Sequence, residues 1–407
     1  MTLSRRQLFT ATGGAAVAVA AGGGLTACSD DLARTSTTAG RAATSVVYPF
    51  RGIRHQAGIT APASAAGLVM GLDVRVEDRA ELATTLASLS ASIEQVMSGE
   101  AYEVRDGGFP PLDTGIVEPG PTGTSVIVGV GDSLFDDRFG LADRRPIELQ
   151  PMPKFANDSL VRPERSHGDL SIVVNADSSE AAVHALRQIL RAHRGTLVPR
   201  WMREGFNQLR PDAGPGRAAG RNLLGFLDGT ANPDLSDDAL TDAFLWVQDG
   251  DGQPDWAVGG TYQAIRVIRM MVEFWDRTRL NEQEAIFFRR RDSGAPLGKE
   301  LESDEPDFGG SFDSHIARAN PRTPGSERNL MLRRGFNYAG GLDDNDQLDQ
   351  GLLFTSYQRS LVDGFVTVQR RLDGEALEEY IRPLGGGFFF VPPAPQGDEH
   401  LFARLLA

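Results

Sequence analysis

Residues 225–233 read Gly-Phe-Leu-Asp-Gly-Thr-Ala-Asn-Pro. One carboxylate, Asp228, stands between Gly225 and Gly229, and a cluster of turn formers follows. By itself this composition describes a surface turn. It also describes an acid held by its backbone against a ligand, because glycine lets a chain approach a ligand without a Cβ in the way. The stretch lies just past residues 203–223, which are rich in Gly, Arg, Pro and Asn and read as a linker. Its reading therefore decides how the two sides of the chain are understood.

Before the linker, apolar patterning alternates between strand and helix. Residues 68–76 predict a strand and 78–97 an amphipathic helix. Residues 124–131 and 170–176 predict buried strands, 178–193 a helix opened by Ser178, and 197–202 a further strand. After the linker the rhythm returns: strands at 262–274, 330–338, 352–358 and 386–393, and helices from Asn281 and over 375–381. This mixture indicates an α+β fold, and no residue-level repeat links the two sides. Between Asp292 and Asn329 lies an irregular segment too long for an ordinary connection, and it contains His315.

At 407 residues the chain has room for two domains. A net charge of −14 argues against nucleic acid as a partner. Residues 1–27 carry the pair Arg5-Arg6, then an apolar Ala/Val/Gly run with no acid, which is the pattern of a secretory leader. Ser4-Arg5-Arg6-Gln7-Leu8-Phe9 resembles a twin-arginine export signal. The single cysteine, Cys28, follows Leu25-Thr26-Ala27 and resembles a lipobox; the alternative is a plain cleavage site. Lipidation there would tether the protein to a membrane without spanning it. Residues 28–45 read as a flexible tether, with the fold beginning near Val46. Loss of the leader removes two arginines and no acid, taking the charge to −16.

Six histidines are present, with no HExxH or CxxC pattern to support a zinc enzyme. Gly385–Gly387 precede an apolar strand and do not open a helix, so they make a poor phosphate loop. Asp249-Gly250-Asp251-Gly252 lacks the later ligands of a calcium loop and reads as a turn. Three residues remain: Asp228, His315 in His-Ile-Ala-Arg-Ala-Asn-Pro-Arg, and Arg333 in Met-Leu-Arg-Arg-Gly-Phe-Asn-Tyr. Singly they read as a turn acid, a satisfied loop histidine and a strand arginine facing solvent or an ion pair.

Together these segments resemble the dye-decolorising (DyP-type) haem peroxidases. The GxxDG motif is matched and extended by Thr230, Asn232 and Pro233; the haem-ligand segment by 315–322; and the arginine strand by 331–338. His55-Gln56-Ala57-Gly58-Ile59 and residues 370–392 also match. The resemblance spans about Val46 to Ala407 and is strongest to an exported branch associated with bacterial ferrous-iron uptake and labelled deferrochelatase. It implies two ferredoxin-like halves with antiparallel sheets flanked by helices, barrel-like when joined, over 46–210 and 211–407, with one haem b in the C-terminal half. It implies His315 as the axial iron ligand, Asp228 as the proton-transferring base and Arg333 as the fixed positive charge beside peroxide. Gly229, Thr230 and Asn232 would line or hold the haem loop, Arg322 or Arg318 would meet a propionate, and Glu378 or Glu379 would support His315. An oxidised ferryl haem would then take electrons from dyes, phenols or ferrous iron. Partners would be hydrogen peroxide, a reducing substrate, an iron-uptake complex and a second copy in a homodimer. A carboxylate near ~3.9 stays ionised where histidine at ~6.5 is protonated, so an aspartate base predicts activity weighted to acid pH. Trp246, Trp256, Trp275, Tyr338 and Tyr357 are candidate electron exits, although core packing is the better reading of each. The rival function is haem handling, with iron released and no need of Asp228.

Overall fold

A computed structural model describes residues 45–210, 220–343 and 345–407. The leader with Cys28, nearly all of the tether and residues 211–219 lie outside the described residues.

In the first half, strand β1 (Ala66–Val74) leads into helix α1 (Arg79–Ser98), β2 (Ser125–Gly131), β3 (Leu170–Ala176), α2 (Ser179–Ala192) and β4 (Leu197–Phe206). Helix α1 starts where the Asp78 carboxylate accepts from the amides of Ala80 and Glu81, and it stops at Gly99, whose φ is 68°. Its residues Leu82, Leu86, Leu89 and Ile93 fall on one face and are buried. Each such side chain contributes about 1.5–3 kcal/mol by leaving water. Helix α2 starts at Ser178, which accepts from the Ala181 amide. Strand β4 runs four residues further than the sequence indicated, into the expected linker, because β1 supplies partners as far as Phe206.

The second half holds α3 (Asp238–Phe244), β5 (Thr261–Met270), α4 (Val272–Trp275), α5 (Leu280–Phe287), α6 (His315–Ala319), β6 (Leu332–Arg333), β7 (Phe336–Leu342), β8 (Leu348–Gln358), α7 (Thr367–Leu372) and β9 (Ile381–Val391). The expected strand over 330–338 is broken at Arg334-Gly335, where the Arg334 side chain turns to the carbonyls of Ala61 and Pro62. The expected helix over 375–381 is a single 3-10 turn, Ala376–Glu379, and Ile381 already belongs to β9.

Each half has the same antiparallel order. The first runs β4-β1-β3-β2 and the second β7-β8-β5-β9. They join at Phe206↔Asn337 and at Val130↔Phe390, and the β5–β8 pairing closes eight strands into a barrel, with β6 added on β8. This is the ferredoxin-like, barrel-forming α+β architecture that the family resemblance implied. Val69, Ile127, Val173, Ile265, Leu353 and Phe389 fill the barrel. Alternate residues on the outer face, among them Leu68, Met70, Val126 and Ile172, pack with α1 and α2. Gly385–Gly387 lie within β9, paired with β5, where they admit close backbone approach. A Cβ at Gly385 would stand 2.0 Å from the Arg165 carbonyl, and one at Gly386, whose φ is 126°, 2.0 Å from that of Ile265.

Candidate active site

The outer face of the second half is not sealed. Outward residues of β5 (Arg266, Ile268, Met270) and of β8 (Leu352, Phe354) form the floor of a cavity. Its opposite wall comes from α5, α6 and α7, which bring Phe287, His315 and Leu372 over the sheet. The cavity also receives Asp228, Gly229, Thr230, Arg322 and Arg333. Residues from three distant segments thus meet in one largely apolar chamber.

Asp228 sits at the end of a tightly bonded loop. Its amide donates to the Gly220 carbonyl at 3.0 Å, and its Oδ1 accepts from the Gly229 amide at 2.7 Å. Gly225 and Gly229 both have positive φ, 88° and 77°, which a residue with a Cβ rarely adopts. Only Gly229 faces the cavity; Gly225 lies against the Arg291 guanidinium. A Cβ at Gly335 would stand 3.9 Å from Asp228 Oδ2, so the acid lies beside the turn that follows Arg333. Asn232 locks the two together. Its Nδ2 donates to the Arg333 carbonyl at 2.9 Å and its Oδ1 accepts from the Arg333 amide at 3.1 Å. Asn232 is not among the residues that line the cavity; its side chain holds the backbone of the neighbouring strand. Thr230 does line it, and its hydroxyl donates to Glu302 at 2.9 Å.

Across the cavity, His315 opens α6. Its Nδ1 meets both oxygens of Glu375, at 2.8 and 3.0 Å. Glu375 is buried, with 2% of its side chain exposed, whereas 29% of the His315 side chain is accessible. Burial lowers the imidazole pKa, but the Glu375 carboxylate outweighs it and the net shift is upward; Arg333 pulls it down and Asp228 up. The supporting carboxylate is therefore neither Glu378 nor Glu379. Three glutamates fall within residues 375–379, and no periodicity separates them; the turn through Gly374 aims the first one inward. Glu378 lines the cavity with a buried Oε1 that has no hydrogen-bond partner among the described residues, and burial raises its pKa.

Arg322 reaches the cavity rim, with its Nε donating to Glu305 at 2.6 Å. Arg318 points away and donates to the Asp373 carbonyl at 2.9 Å. Trp246, Trp256, Trp275, Tyr338 and Tyr357 are all buried, in keeping with core packing.

The arrangement fits haem. An imidazole needs one nitrogen for iron and a partner for the other. Glu375 occupies Nδ1, and among the described residues nothing is hydrogen-bonded to Nε2. Apolar walls suit a porphyrin, and a carboxylate with a guanidinium lines the same cavity as the histidine.

Comparison with known proteins agrees. Residues 56–207 match the N-terminal and 219–396 the C-terminal model of the Dyp-type peroxidases. The chain is 42% identical to a deferrochelatase of Yersinia pseudotuberculosis over 99% of this chain and 94% of that one. It is 44% identical to a deferrochelatase of Escherichia coli K12, covering 88% and 86%. Among solved structures, ferric DtpA from Streptomyces lividans superposes with a TM-score of 0.79 at 34% identity, covering 89% of this chain and 97% of that one. A DyP-type peroxidase from Cellulomonas bogoriensis does so with 0.79 at 33%, covering 89% and 98%. The chain belongs to the Dyp-type peroxidase family, haem b enzymes that take hydrogen peroxide and a reducing substrate.

Proposed function

We propose that His315 holds the haem b of this peroxidase and that Asp228 and Arg333 carry out the proton and charge work on hydrogen peroxide. One observation carries the reading: a carboxylate and a guanidinium line the same apolar cavity as a histidine whose Nδ1 is tied to a buried glutamate. Haem supplies the redox chemistry, the electrons that reduce peroxide and the oxidising power passed to a donor. Asp228 takes the proton from one peroxide oxygen and returns it to the other as water leaves. Arg333, tied to Asn232 through its backbone, stabilises the negative charge that grows as the O–O bond breaks. Glu375 keeps His315 in one tautomer and strengthens it as a donor.

A second reading, release of iron from haem, is favoured by the name deferrochelatase carried by the Yersinia and Escherichia relatives. It needs His315 and the cavity but not Asp228. Substitution of Asp228 by Ala separates the two. Peroxidase turnover collapses while haem stays bound if the first holds; iron release that persists unchanged in this variant supports the second. From the leader we further infer export by the twin-arginine route and anchoring outside the cytoplasmic membrane through lipidated Cys28. We infer delivery of electrons from dyes, phenols or ferrous iron, service beside a ferrous-iron uptake complex, and a homodimer. The N-terminal mass of the mature protein tests the anchor: a lipidated Cys28 supports it, and an unmodified N-terminus rejects it.

A further inference from the structure

The long segment between Asp292 and Asn329 does more than deliver His315. It grips the Asp228 loop at three places. Arg221 donates to the carbonyls of Gly225 at 2.9 Å and Asp292 at 2.6 Å. Gly294, with φ 75°, packs so tightly that a Cβ would come within 2.5 Å of Leu227 Cδ1 and 3.3 Å of Glu302 Cγ. Glu302 then reaches in. Its Oε1 accepts from Thr230 at 2.9 Å, its Oε2 accepts from Arg210 at 2.8 Å, and its own carbonyl accepts from Arg289 at 3.2 Å. Only 14% of its side chain is exposed. Glu302 itself does not line the cavity, whereas Thr230 and Arg289 do.

We propose that Glu302 is a positioning residue, fixing through Thr230 the place of the Asp228 carboxylate relative to the wall that carries His315. This rests on the peroxidase reading above. The geometry explains why a carboxylate serves here. One oxygen accepts from the Thr230 hydroxyl two residues past Asp228, and the other is held by a guanidinium from the end of the first half, so the Thr230 bond has a fixed direction. The same chain continues from Glu302 to His315 in thirteen residues, so both sides of the cavity are referred to one segment. A base misplaced by about 1 Å costs as much as 100-fold in rate, so a residue outside the cavity has leverage on the chemistry.

The test uses the full-length, haem-loaded protein and stopped-flow absorption after mixing with hydrogen peroxide, from pH 4 to 8. Glu302→Ala and Thr230→Val each slow the peroxide-dependent change of the Soret band by about 10–100-fold and alter its pH profile. For Glu302→Ala, whose side chain lies outside the cavity, haem content and the donor KM stay as in the parent. Glu302→Gln, which keeps an acceptor for Thr230, recovers most of the rate. The double variant loses less than the product of the two single losses, because both remove the Thr230–Glu302 bond, while Glu302→Ala alone also frees Arg210. Should Glu302→Ala fail to fold, Thr230→Val and Glu302→Gln carry the test. A peroxide step that is unchanged in rate and pH profile, or a double variant with additive loss, overturns the positioning role. Asp228→Ala run alongside separates the two claims. A step that depends on Asp228 but not on Glu302 overturns only the positioning role; a step indifferent to Asp228 overturns both.

Discussion

The two halves share one strand order and differ in what covers it. In the first half, two helices of 20 and 14 residues lie on the sheet and seal it. In the second, the equivalent crossovers are shortened and broken: α4, α5 and α6 have 4, 8 and 5 residues, and a π turn precedes the 6 residues of α7. The face under them is left open, and the cavity occupies it. The same sheet is thus a core support on one side and a binding floor on the other. What changes is the length of the helices, because a short helix covers little area and leaves its neighbours free to carry polar groups.

The strongest test of this contrast removes the chemistry from the open half. Asp228→Ala lowers kcat/KM for hydrogen peroxide by about 10²–10⁴-fold while the haem spectrum of the resting protein persists. Steady-state kinetics check it, and an unchanged kcat/KM would put the base elsewhere. The sealed half responds in the opposite sense. Leu86, on the buried face of α1, is fully buried, and Leu86→Ala costs about 2–5 kcal/mol in denaturant unfolding with the per-haem peroxide rate intact. A loss of rate with no loss of stability would dissolve the division of labour.

A finer probe is Glu375→Gln, which keeps the shape but removes the charge that faces His315. Haem affinity or turnover falls about 10–100-fold, followed by haem titration and kinetics. If Glu378→Gln did this and Glu375→Gln did not, the assignment of the supporting carboxylate would be reversed.

The smallest effect lies at His55, in the first half. Its ring stacks on Trp246 at 3.5 Å, its Nδ1 meets the Gly259 carbonyl at 2.7 Å, and burial pulls its pKa down to about 4. An unfolded chain takes up this proton near 6.5, the folded one only near 4. The contribution is therefore fully present above pH 6.5 and is lost as pH falls toward 4, by roughly 1–3 kcal/mol at most. Unfolding curves of His55→Phe lack that part of the pH dependence; a parallel slope in parent and variant would exclude it.

Much of this was legible from residue patterning. Asp78 and Ser178 announce their helices because a cap is a local signal, and the leucines of α1 repeat at helical spacing. The end of β4 was not legible. Arg203 and Glu204 look like linker residues, and what makes them strand is pairing with Val69 and Leu68, over a hundred residues earlier. The Asp228, His315 and Arg333 segments were readable by their resemblance to a family, whereas the contacts that orient them were not. Glu375, Asn232 and Glu302 are hydrogen-bonded to partners 60, 101 and 72 residues away, and no local pattern marks such pairs.

The central claim is that the uncovered face of the second sheet is a haem site built for peroxide. The most direct measurement is the absorption spectrum of the haem-loaded protein before and after one equivalent of hydrogen peroxide. The account predicts a ferric Soret band that shifts within the mixing time. A Soret band indifferent to peroxide, or a protein that takes up no haem at all, would contradict it.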